Sequence, residues 1–262
     1  MKSIRTLSTN KTFKDLSSML YSEKRLFFSR FGDVDFLMMK KERVGDILGR
    51  SNKTLLTEVL RAEMLEAFSI VDKNYVRCHV SNMEFEDGMD ILNLPGYKEP
   101  GKKGEHVWNW WNNQAVENTP FLEDGENIFY NACTFYMYAT FRQSILAQFI
   151  ADHISHKKKM IVGCRDPEIM RSMFGNIDYY VKTPEINSYS EIDIWWPNVL
   201  KNVDDVEIIL PFTGQSSRVL NKRLWKLDIE VQSIDTGSWI DPYCGVVNRG
   251  WTKRAIPYIV GQ

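Results

Sequence analysis

The chain reads as an α/β fold: a Rossmann-like, mainly parallel sheet with helices on both faces and an aromatic-rich insertion. Three observations in its second half predict this. Strand-like and helix-like segments alternate; the strand-like ones are continuous apolar runs, as in strands covered on both faces; and the connections are short enough for right-handed βαβ units.

Taken in order, Thr12 to Arg25 has the spacing of a short amphipathic helix, and Leu26 to Phe31 that of a buried strand. Ser51 or Asn52 is placed to cap a helix running to about Phe68, and Tyr75 to Val80 reads as a strand. From about Asn93 to Glu105 the chain is rich in Pro, Gly and Lys without hydrophobic period, which suits a mobile lid or an acceptor loop. Trp108, Trp110 and Trp111 follow, then an aromatic stretch from Phe129 to Phe141 and a helix from about Arg142 to Ser155. The regular half comprises strands at Lys159 to Cys164, Ile177 to Lys182, Val206 to Phe212 and Glu230 to Ile234. Helices at Asp166 to Phe174, Ser190 to Asn202 and Gly214 to Leu227 separate them.

The 262 residues, 44% of them hydrophobic, are enough for one full core, and the chain is read as a single domain with an insertion around 93–140. A net charge of -1 supplies no global positive field for a polyanion, so a nucleic-acid partner would need a local basic patch. No apolar run reaches the length of a membrane span and Met1-Lys2-Ser3 leads into a polar segment, so a cytoplasmic protein without a membrane span is expected. Cys78, Cys133, Cys164 and Cys244 are scattered, which points to reduced thiols rather than a zinc or disulfide framework. Homo-oligomerisation is expected only from the frequency of symmetric assemblies.

If Leu26 to Phe31 is a strand, Asp33 and Asp35 emerge at its carboxyl end, where open α/β sheets place their ligands. Two neighbouring carboxylates suit a hard divalent cation, Mn²⁺ or Mg²⁺, that bridges to nucleotide phosphates; a capped, solvated turn explains the same pair. Other strand ends offer Arg165 after Gly163-Cys164, then Thr213, Gly214, Gln215, Ser216 and Ser217, then Asp235-Thr236-Gly237. Gly214 would let backbone approach a phosphate, and Ser216 and Ser217 would offer hydroxyls and N–H groups at a helix start, although helix capping accounts for them equally well.

Arg30-Phe31-Gly32-Asp33-Val34-Asp35 resembles the Arg-Phe-Gly-Asp-Gly-Glu signature of the GT-D-type glycosyltransferases. Thr183-Pro184 to Asn187, Ile208 to Leu220, Ile234-Asp235-Thr236-Gly237 and Tyr243 follow in an order similar to that family's later motifs. The resemblance implies a glycosyltransferase taking a nucleotide sugar, UDP being the expected carrier, with Asp33 and Asp35 on the metal. Arg30, Gly32, Arg165 and the Thr213 to Ser217 turn would lie on the donor side; Arg30, Arg165 and Arg218 are candidates to stabilise the departing diphosphate, and Asp235 and Asp241 are the carboxylates to test as base. Three departures matter: Asp35 stands for Glu, Val34 for Gly, and Ser238 where the family often has His.

The acceptor is a hydroxyl on a glycan, a glycoprotein or a lipid-linked sugar, or on a modified base in DNA, as for phage glycosyltransferases that act on hydroxymethylated pyrimidines. Lys98, Lys102, Lys103, Arg249, Trp251, Lys253 and Arg254 are the residues that would follow a DNA backbone. Two other classes compete. A haloacid-dehalogenase-like phosphohydrolase also carries Asp-x-Asp after a strand, but Phe36-Leu37 replaces its Gly-Thr-like continuation and Asp204-Asp205 precedes a strand instead of following one. A non-catalytic binding module would leave Asp33 and Asp35 free to vary.

Overall fold

The computed structural model describes residues 2–40, 45, 47–48, 54–80, 85, 87–89, 122, 124–247 and 252–253. The Pro/Gly/Lys loop, the three tryptophans and most of the basic C-terminal residues lie outside these. Strand β1 (Lys2–Thr6) leads into α1 (Thr9–Ser22), β2 (Leu26–Phe31) and α2 (Asp33–Lys40). A two-residue hairpin, β3 (Ile47–Leu48) and β4 (Thr54–Leu55), precedes α3 (Glu58–Ser69) and β5 (Tyr75–His79). Then come β6 (Gly125–Asn131), α4 (Thr134–Phe141) and α5 (Gln143–Ile150), which a π-helical turn, Ala151–Ser155, extends. The regular half supplies β7 (Lys159–Gly163), α6 (Pro167–Phe174), β8 (Tyr179–Lys182), α7 (Ile192–Leu200), β9 (Ile208–Phe212), α8 (Ser216–Lys226) and β10 (Gln232–Ile234).

Eight strands form one sheet in the order β1-β6-β5-β2-β10-β9-β7-β8, and each neighbouring pair is parallel. One face packs against α1, α4, α5 and α6 through Phe13, Leu16, Phe135, Leu146, Phe149 and Met170. The other packs against α2, α3, α7 and α8 through Phe36, Leu60, Phe68, Trp195, Val199 and Leu220. The three-layer α/β arrangement expected from the alternation is therefore what the chain adopts. Among the described residues no helix is long and apolar enough to cross a membrane.

Local chemistry sets the element ends. Ser8 caps α1 by accepting from Lys11 N, which starts that helix three residues before the expected position, and Glu23 is extended, which ends it before Arg25. For α3 the cap is Thr57, whose Oγ1 accepts from Leu60 N at 3.1 Å, while Ser51 and Asn52, the expected caps, lie outside the described residues; the chain just before Thr57 is spent on β4 and on burying Leu56. Of the stretch read as an aromatic insertion, Phe129 to Phe141 supplies β6 and α4 and belongs to the main core.

Two contacts fix α8 over the centre of the sheet. Asn221 donates through Nδ2 to Phe28 O at 3.1 Å and Ser29 Oγ at 2.9 Å, and accepts from Ser233 Oγ at 2.6 Å, tying the helix to β2 and β10 at once. On the opposite side Lys222 lies 2.7 Å from both Glu63 and Glu66 of α3, and Arg223 pairs with Glu63. Arg218, one turn before Asn221, is thereby held above the carboxyl ends of β2 and β10.

Candidate active site

The chain from β2 runs outward to β5 and β6, whereas β7 to β10 fill the other half of the sheet, so β2 and β10 meet where the two halves adjoin. Such a junction opens a crevice at the strand carboxyl ends. The crevice here holds about 100 Å³ and is open to solvent. It is lined by Arg30, Gly32 and Asp35 from the β2 end, Arg165 after β7, Thr213, Gly214, Gln215, Ser217 and Arg218 after β9, and Asp235, Gly237, Ser238 and Asp241 after β10. Most residues expected at the site from separate parts of the chain are thus brought together.

At its floor, Asp35 sits in the first turn of α2 and reaches back to the start of its own helix, accepting from Gly32 N at 2.6 Å through Oδ2. This is one half of a capping box, closed by a carboxylate three residues into the helix. The same oxygen accepts from Arg218 Nη2 at 2.9 Å, while Oδ1 is buried without a partner among the described residues. Burial pushes the Asp35 carboxyl above its ordinary value, against the opposing pull of Arg218, the Gly32 N–H and Arg30. Asp33 opens α2, and its side chain lies outside the described part of the structure.

Arg218 is the link between two carboxylates. Its Nη1 lies 3.0 Å from Asp235 Oδ2, an ion pair rather than a directed hydrogen bond, and also donates to Gly214 O. Asp235 in turn accepts from Gly237 N at 3.0 Å. Arg165 is shared at the rim: it donates to Asp241 Oδ1 from Nη2 at 2.9 Å and Nε at 3.1 Å, and to Glu185 at 3.0 Å. Both carboxylates expected to act as base, Asp235 and Asp241, are therefore held by guanidinium groups, which a proton would have to displace or share.

The turn from β9 to α8 has Gly214 at φ 62° and is braced by hydroxyls. Thr213 Oγ1 and Ser217 Oγ are 3.1 Å apart, and Thr54 donates to Gln215 Oε1 at 3.0 Å. Ser216 faces away from the crevice, its Oγ 2.8 Å from that of Ser188, which itself donates to Thr213 O. In the opening turn of α8, Ser217 N donates to Gly214 O and Arg218 N to Gln215 O, both at 3.2 Å, so these N–H groups are already satisfied within the turn. Cys164 also lines the crevice, but burial pushes its thiol up, so it is protonated at neutral pH and no thiolate nucleophile results.

Arg30 stacks its guanidinium on Tyr136, 4.8 Å from the ring centroid, and donates to Ala132 O at 2.7 Å and to Tyr136 Oη at 3.1 Å. Gly237, at φ 77°, passes directly beside this pair. A Cβ there would overlap the Arg30 guanidinium and come within 2.6 Å of Tyr136 Oη. We expect Gly237→Ala to lower stability by about 1–2 kcal/mol through its backbone alone, with more lost as Arg30 is displaced. Gly32→Ala is the control: a Cβ there would sit 3.6 Å from Asp35 Oδ2, an ordinary contact. Equal melting temperatures for the two variants would refute this account.

No family model and no curated protein matches the chain. Among solved structures it is similar to the highly conserved domain of unknown function 1792, described as having a distinct glycosyltransferase fold. The TM-score is 0.61 and the identity 16%, covering 92% of this chain and 80% of that one. The chain has a glycosyltransferase-like fold. Sequence reasoning missed Glu185, which lines the crevice and pairs with Arg165, and Tyr136, which braces Arg30 from behind it and which nothing distinguished from the aromatic stretch around it. Asp204 and Asp205 lie instead in a short turn before β9, where Asp205 pairs with Lys158, so this acidic pair does not join the crevice as a phosphohydrolase would require.

Proposed function

We propose that this protein is a metal-dependent glycosyltransferase that moves a sugar from a nucleotide sugar, UDP being the first carrier to test, to a hydroxyl acceptor. The supporting observation is the orphaned Oδ1 of Asp35 in a crevice whose charged lining is acidic. Three guanidinium groups, Arg30, Arg165 and Arg218, meet four carboxylates, Asp35, Glu185, Asp235 and Asp241. An acidic lining repels a diphosphate unless a cation enters with it.

The donor set suits such a cation. Among the described residues no cluster of three or more ligand-type side chains forms a closed cage. Mg²⁺ and Mn²⁺ sites in nucleotide enzymes commonly use one or two carboxylates, with phosphate oxygens and water completing the shell. Asp35, with Asp33, would hold the ion, which when bound supplies positive charge to the diphosphate leaving group.

The chain's own groups do the rest. The turn from β9 to α8 and Arg30 line the cavity in which the phosphate oxygens would lie. In the reaction the acceptor hydroxyl forms a bond to the anomeric carbon as the bond from that carbon to the diphosphate oxygen breaks. The acceptor proton passes to a carboxylate, for which Asp235 and Asp241 are the groups to test.

A thermal-shift panel of UDP and UDP-sugars, with and without Mn²⁺, tests this on wild type and Asp35→Asn. Ligand at a hundredfold excess over its Kd should stabilise the wild type by about 2.7 kcal/mol. We expect that gain to require the metal and to vanish in the variant. Equal shifts in the two proteins would remove Asp35 from the donor site, and no shift with any nucleotide sugar would end the transferase reading.

A further inference from the structure

Tyr136 Oη stands where Arg30 Nη1, Ser238 N and Ser238 Oγ converge. Arg30 Nη1, at 3.1 Å, and Ser238 N, at 2.8 Å, can only donate, so both fill acceptor positions on the phenol oxygen. The third neighbour, Ser238 Oγ, lies 2.9 Å away and can accept the phenol proton. Having accepted, Ser238 has its own hydroxyl proton left to give, with no acceptor for it among the described residues. Ser238 lines the crevice. The absence of a Cβ at Gly237 is what permits the arrangement.

We propose that Arg30, Tyr136 and Ser238 form a one-way hydrogen-bond relay that presents the Ser238 hydroxyl proton to a phosphate oxygen of the bound nucleoside diphosphate. The proposal rests on the nucleotide-sugar reading above. The guanidinium at one end polarises each O–H in turn, so the last donor is stronger than an isolated serine. An oxygen gaining negative charge as the sugar departs receives the most from it. Arg30 and Tyr136 are positioning residues in this relay, and of its three members Ser238 is the one that meets the phosphate.

The test is a double-mutant cycle read by calorimetric binding of UDP in the presence of Mn²⁺. Ser238→Ala should weaken UDP about tenfold, the loss of one hydrogen bond to a charged group, and Ser238→Thr should restore it. Tyr136→Phe should weaken UDP severalfold in the wild type yet change nothing once Ser238 is Ala, because a relay without its last member has nothing to deliver. A purely structural Tyr136 would give losses that add. Wild-type affinity in Ser238→Ala, or additive losses, would overturn the relay while leaving the nucleotide reading intact. A wild type that binds no nucleoside diphosphate would sink that reading and the relay together.

Discussion

Arg218→Met should lower stability by about 3–5 kcal/mol, and the melting temperature by on the order of 10 °C. Arg218 is 4% exposed, and the two carboxylates it joins, Asp35 and Asp235, are each 1% exposed. A buried ion pair contributes little net stability when intact, because desolvation offsets the attraction. Removing one partner is different, since the charge that remains has neither water nor a counter-ion. Here two carboxylates would be stranded, with Arg30 as the remaining nearby guanidinium on the floor. The charge count makes the prediction specific. Asp35→Asn in the Arg218→Met background should recover a large part of the loss, whereas the two substitutions on unrelated grounds would simply add. Urea denaturation of the two single variants and the double decides between these outcomes, and additive losses would mean that Arg218 stabilises α8 by some other contact. The recovered double variant should still fail to respond to UDP and Mn²⁺, which separates the charge needed for folding from the charge needed for ligand.

Legibility in the sequence follows burial. Ile208–Phe212 and Lys159–Gly163 are covered on both faces, so they appear as apolar runs and were placed to within two residues. β1 was not anticipated, because an edge strand with one half-exposed face reads as Lys-Ser-Ile-Arg-Thr, an ordinary polar segment. β6 lies between β1 and β5, yet it is hidden because the polar run Gly125, Glu126 and Asn127 forms its first half. Within the site, Asp35 and Asp235 were visible because each follows a buried strand, a position that carries meaning without knowledge of the fold. What was not visible is the pairing. Arg218 reaches Asp35 across 183 positions, and Tyr136 reaches Ser238 across 102. Neither contact leaves a local pattern, since it is the parallel order of the sheet that brings these side chains together.

His79→Leu should leave stability at pH 7 unchanged or slightly raised, and should gain roughly 3 kcal/mol over the wild type at pH 4. His79 ends β5 and is fully buried, with both ring nitrogens unpartnered among the described residues. Its neighbours are the rings of Phe36, 4.8 Å away, and Phe129, 5.9 Å away. Burial pushes its pKa from the ordinary 6.5 down to about 3, because an imidazolium in this apolar setting has lost its water without gaining a carboxylate. The sign follows from proton binding. Between pH 6.5 and 3 the unfolded chain takes up a proton at His79 that the folded chain refuses, so the stability present above pH 6.5 is lost progressively as the pH falls. Leucine binds no proton in either state and removes that slope, which thermal melts across pH 4 to 7.5 would read as a difference on the order of 10 °C at the acid end. Parallel curves for the two proteins would mean that water or another group satisfies the ring. The effect also bears on the site, for Phe36 belongs to the same helix as Asp35. Unfolding driven by that proton should take the site with it, so the proposed metal-dependent response to UDP should fade at a higher pH in the wild type than in His79→Leu.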